Sequence, residues 1–178
     1  PAAAFALSRR AENVVNHASR GLGWAAGVLS GQNLGAGHVD RAKSSIAWAI
    51  VYSAVISVLA MMLFISFPAQ IASFFSDSTE FVAHTSTWIF ILAFATFPMS
   101  SVQVFTQGIA STGATVAPMV ITLITIWLVE VPIAVMLSYY TPLGSIGTPW
   151  GVVVGNMVRA AAFFVYFSKG RWLRTGMI

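Results

Sequence analysis

The 178 residues are 57% hydrophobic and only 8% charged, where a soluble globular domain has roughly a quarter of its residues charged, so a water-soluble fold of this size lacks the polar surface to cover itself. The absence of cysteine excludes disulfides, iron–sulfur sites and thiolate metal sites, and the three histidines show no ligand spacing such as HExxH. The net charge of +4 comes from basic residues beside apolar runs rather than along one face, which marks membrane topology and not a nucleic-acid surface.

A helix needs about 20 apolar residues to cross a hydrocarbon core of about 30 Å, and the sequence predicts an all-α bundle of about five such spans. The first, 2–36, is interrupted by Arg9, Arg10, Glu12, His17 and Arg20 but has no helix breaker before Gly21. Gly23, Gly27, Gly31 and Gly35 recur every four residues on it, a small-residue ridge that lets another helix approach closely. Arg9, Asn13, Asn16 and Arg20 share a face. Counting about 20 residues back from Gly35 puts the outer lipid boundary near Asn16, so Arg9, Arg10 and Glu12 fall either at the outer interface or, against the loop charge bias, on a polar stripe facing protein or water, and Arg20 faces a cavity.

The second span, 45–67, is free of charge from Ile46 to Phe67 and stops at Pro68. From Phe81 to Val129 there is no ionised acid or base, a run too long for one crossing, and the break at Gly108–Gly113 divides it into spans of about 81–108 and 113–138. Pro98 removes a backbone donor inside the former and predicts a kink, with Gln103 and Gln107 on its inner half. The last span, 149–168, has Thr148 as candidate N-cap and Pro149 at the first helical position.

Glu130 and Arg159 lie on the last two spans, about 12 Å and about 13 Å below the outer ends taken at Ser138 and Trp150. Opposite charges at matched depth on antiparallel neighbours are placed to pair, and either alone costs about 2.5–3.5 kcal/mol on insertion scales. The pair reads either as structural or as a proton or Na⁺ site beside the helix-bending Pro132. The connections 38–43 and 169–174 are basic, 76–80 is acidic and 139–148 is uncharged. By the positive-inside rule the first two are cytoplasmic, with the C terminus. The chain opens at Pro1 with no signal-peptide pattern, and reads as part of a longer protein.

The stretch Gly31-Gln32-Asn33-Leu34-Gly35-Ala36-Gly37, followed by Arg41-Ala42, resembles a motif of the multidrug and toxic compound extrusion (MATE) family. The runs 107–113, 127–134 and 143–150 fit the same family in order. The resemblance implies most of the C-terminal lobe of a two-lobed antiporter that exports drugs or organic cations in exchange for H⁺ or Na⁺ by alternating access. It implies no cofactor, an N-terminal lobe as partner, and a multi-pass place in a plasma membrane, in bacteria the inner one. Some members carry an acidic cation ligand on the helix matching 81–108, which here has no Asp or Glu, so Glu130 or Glu12 is left to serve. Competing readings are a related lipid-linked oligosaccharide flippase, to which Arg9, Arg10 and Arg20 speak, and a non-transporting membrane assembly subunit. No nucleophile–base set or nucleotide loop suggests an enzyme.

Overall fold

The computed structural model describes residues 2–75 and 78–174, with side chains at 13, 16–75 and 78–173. The described residues form helices and turns without a strand, as the composition predicts. The helices are α1 (Ala2–Gly35), α2 (Val39–Ser66), a short α3 (Pro68–Ser73), α4 (Thr79–Ala110), α5 (Val116–Thr125), α6 (Val131–Tyr139) and α7 (Gly147–Ser168). Between α5 and α6 the chain continues helically through a π-helical segment, Ile126–Glu130. A 3₁₀ turn, Gly144–Ile146, precedes α7, and another, Arg171–Arg174, follows it. α2, α4, the continuous run Val116–Tyr139 and Gly144–Ser168 are each long and apolar enough to cross a membrane. α1 is longer than α2 but more polar, and is not in that set.

α4 is the centre. Its apolar window is two-thirds buried, because α1, α2, α3 and α7 all pack on it. Phe105 stacks with Phe163 of α7, and Phe94 with Trp150, so α4 and α7 run parallel. Ile46 of α2 fills the space over Gly108. At the far end of α7 the chain turns at Gly170, whose φ of 63° suits a residue without Cβ. The turn tucks Trp172, fully buried, under the bundle, where its indole N–H donates to the Phe167 carbonyl at 3.2 Å. The α5–α6 run is the contrast: 6% of its window is buried, and it leans chiefly on α7.

α1 runs parallel to α4 in a fixed register, Asn16 beside Met99, Arg20 beside Gln103, Gly23 beside Gln107 and Gly27 beside Ser111. Ser111 caps α4, so the remaining turns of α1 run on past its end. Asn16 and Arg20 therefore lie level with Met99 and Gln103, in the second half of α4. Thr148 does not cap α7: the preceding 3₁₀ turn feeds into the helix two residues earlier, with Ile146 at the N-cap and Pro149 the third helical residue, and the Thr148 hydroxyl lies 3.1 Å from that of Ser138.

Candidate functional site

α7 carries a glycine every fourth residue, Gly147, Gly151 and Gly155, and then Arg159. The spacing puts all four on one stripe, and the stripe lies against α6 and the π segment. A Cβ added at Gly147 would stand 2.5 Å from the Leu137 carbonyl carbon, at Gly151 2.6 Å from Ala134 Cα, and at Gly155 2.6 Å from Glu130 Cβ. Only hydrogen fits, so two backbones close together and deliver Glu130 to Arg159. The sequence reading found the charged pair but missed this second ridge, although its four-residue period was there to be counted.

The pair is formed: Arg159 Nη2 donates to Glu130 Oε2 at 2.5 Å. Arg159 has two further acceptors, Thr125 Oγ1 at 2.9 Å from Nε and Asn156 Oδ1 at 3.4 Å from Nη1. Guanidinium–carboxylate hydrogen bonds are charge-assisted and stronger than neutral ones, and here both charges are withdrawn from solvent, with 10% of the Arg159 and 22% of the Glu130 side chain exposed. The carrier of Glu130 is irregular for a reason in the sequence. Pro132 has no N–H to return to the Leu128 carbonyl, and the chain widens before it, Val131 N–H donating to Ile126 O in an i→i−5 bond.

The other expected residues lie elsewhere. Asn16, Arg20, Gln103 and Gln107 gather along the α1–α4 seam. Asn16 is buried and its amide reaches Met99 Sδ at 3.5 Å, while the exposed Arg20 donates from Nε to Gln103 Oε1 at 3.4 Å. Pro98 is buried inside an α4 that continues past it, and it borders an apolar groove of about 460 Å³ with Met61, Phe94, Phe97, Met157 and Ala160. Pro132 is exposed. Glu12 lies on α1, but its side chain is outside those described.

Gly31, Gln32, Asn33 and Gly35 form the last turns of α1, and Gly37 lies just past its stop. Gly37, with φ of 81°, donates to Leu34 O at 3.0 Å and His38 N–H donates to Asn33 O at 2.7 Å, the paired bonds of a Schellman motif. Arg41 stands exposed on the first turn of α2. Among the described residues no group of three or more His, Cys, Asp or Glu could hold a metal ion.

The family model described as MatE matches residues 2–136. The chain is 28% identical over 167 residues to the "Probable multidrug resistance protein YoeA" of Bacillus subtilis, covering 93% of this chain and 36% of that protein. It is 31% identical over 153 residues to the "Probable multidrug resistance protein NorM" of Pasteurella multocida, covering 83% and 33%. The chain thus spans about a third of the length of these relatives. A solved structure described as an inward-facing conformation of a multidrug resistance MATE family transporter superposes with a TM-score of 0.87 at 19% identity, over 99% of this chain and 41% of that one, a likeness of fold.

Proposed function

Because the chain belongs to the MatE family, whose members are membrane transporters and not enzymes, we propose that it forms most of the C-terminal lobe of an antiporter that exports drugs or organic cations against H⁺ or Na⁺. The observation that carries this reading is the Glu130–Arg159 pair, joined at 2.5 Å between two apolar helices. An ion pair in such a place needs both partners, since either charge alone is costly in a membrane. A proton or Na⁺ arriving at Glu130 cancels its charge and weakens its bond to Arg159. The π segment and Pro132 then supply a carrier that changes register more readily than a regular helix. Cation occupancy is in this way tied to helix geometry, which alternating access between two lobes requires. α1, packed along α4, acts as the fifth span; its Glu12 is the alternative coupling carboxylate, and Arg20, Asn16, Gln103 and Gln107 border the path of the transported molecule. The basic turns at Arg41 and Arg171 support a C terminus on the cytoplasmic side of the membrane, in bacteria the inner one.

The test is export of a fluorescent cationic dye from cells or vesicles carrying the full-length protein under an imposed H⁺ or Na⁺ gradient. Dye export driven by one gradient and abolished by collapsing it supports the reading. No export under either gradient by correctly inserted protein contradicts it and favours the assembly subunit.

A further inference from the structure

Arg159 and Glu130 are held in unequal ways. Thr125 Oγ1, which accepts from Arg159 Nε, has its own hydrogen directed at the carbonyls of Ile121 at 2.8 Å and Thr122 at 3.1 Å. One of its lone pairs is thereby left facing the guanidinium. Asn156 is oriented in the same manner: its Nδ2 donates to Val152 O at 2.9 Å, which turns Oδ1 toward Arg159 Nη1. Both acceptors are buried and neutral, and both are fixed by a bond to their own helix. Glu130 is the more exposed partner and sits on the last residue of the π segment. Thr125 is the residue immediately before that segment, at the end of regular α5.

We propose that Thr125 and Asn156 are positioning residues that hold Arg159 in place while Glu130 alone moves, so that α5 and α7 form the fixed side of the coupling switch and the π segment its moving side. An arginine is charged at every physiological pH and cannot follow a neutralised carboxylate through lipid without cost. With two oriented neutral acceptors it keeps directional bonds when the carboxylate leaves, and it is in place when Glu130 returns. Without them, Arg159 trails Glu130 and the two states of the switch lose their distinction. This inference rests on the reading of Glu130 as the coupling group.

The experiment uses the full-length protein in proteoliposomes and compares Thr125→Val, Thr125→Ser, Asn156→Leu and Glu130→Gln for gradient-driven dye uptake and for gradient-free exchange of dye for dye. We expect Thr125→Val and Asn156→Leu each to lower gradient-driven uptake about tenfold while exchange holds, and Thr125→Ser, which keeps the hydroxyl, to stay within about twofold of the parent. Wild-type uptake in both Thr125→Val and Asn156→Leu, with uptake lost in Glu130→Gln, overturns the positioning role and leaves the role of Glu130 intact. Undiminished uptake in Glu130→Gln overturns the coupling reading itself. Should Thr125→Val lose both fluxes with no rescue by Thr125→Ser, or Asn156→Leu lose both, the residue concerned serves folding only and the joint positioning role is overturned.

Discussion

Two helix seams in this chain are built on glycines four residues apart, and they come out differently. On α7 the ridge is engaged along its whole length: at Gly147, Gly151 and Gly155 an added Cβ would lie 2.5–2.6 Å from the neighbouring chain. On α1 the engagement is partial. Gly23 and Gly27 abut α4, Gly31 is at ordinary contact distance, 3.5 Å from Ser111 O, and Gly35 faces nothing within 4 Å. The difference follows from what stands opposite. Gly147 and Gly151 face Ala134 and bare backbone, and Gly155 the Glu130 side chain, whereas the α4 backbone comes no nearer than 3.2 Å to Gly23 and Gly27, which meet the side chains of Gln107 and Ser111 first. The close seam ends in a charged cluster with a short ion pair, and the looser one leaves Arg20 exposed, its bond to Gln103 a long 3.4 Å. Small residues alone do not fix how near two helices come; the facing side chains do.

The comparison can be broken most forcefully at the close seam. Arg159→Leu strands Glu130 between apolar helices and should cost about 3–5 kcal/mol, seen as a large fall in the unfolding midpoint of detergent-solubilised protein. A variant as stable as the parent would mean the pair is not held in the native state. Next in size, Gly151→Ala forces a methyl into the Ala134 backbone 2.6 Å away, an overpacking that should cost about 1–3 kcal/mol by the same assay. Gly27→Ala meets Ser111, whose hydroxyl can turn but whose Cβ, 2.7 Å away, is fixed to the backbone; Ser111 stands at the C-cap of α4, where the chain can give, so the cost should be about 1 kcal/mol, below that at Gly151. Equal losses at Gly27 and Gly151 would show that the two seams are alike after all. Smallest of all, Gly31→Ala has room and removes the helical penalty of glycine, so stability should hold or rise by about 0.5–1 kcal/mol.

Much of this was legible in the sequence because lipid imposes simple rules. Charge-free runs, the Pro68 and Gly108–Gly113 breaks, and the depths of Glu130 and Arg159 all follow from length and spacing, and the ion pair at 2.5 Å is what equal depth on antiparallel helices implies. The π segment was not legible: Pro132 signals a disturbed ladder but does not say whether the chain bends or widens, since both leave the Leu128 carbonyl without its i+4 donor. Nor was the register of α1 against α4, which is set by which side chains fit at Gly23 and Gly27, a property of two helices together. Thr125 was invisible for the same reason, as a threonine in an apolar helix shows no sign of an arginine 34 positions away that donates to it.

The claim on which the account turns is that the carboxylate of Glu130 carries the coupling ion. Its most direct measurement is ion flux evoked by dye in proteoliposomes of the full-length Glu130→Gln protein, beside parent protein at equal reconstituted amount. The account predicts that dye still binds and exchanges but moves no H⁺ or Na⁺ in return; a parental ratio of ion to dye in the variant would contradict it.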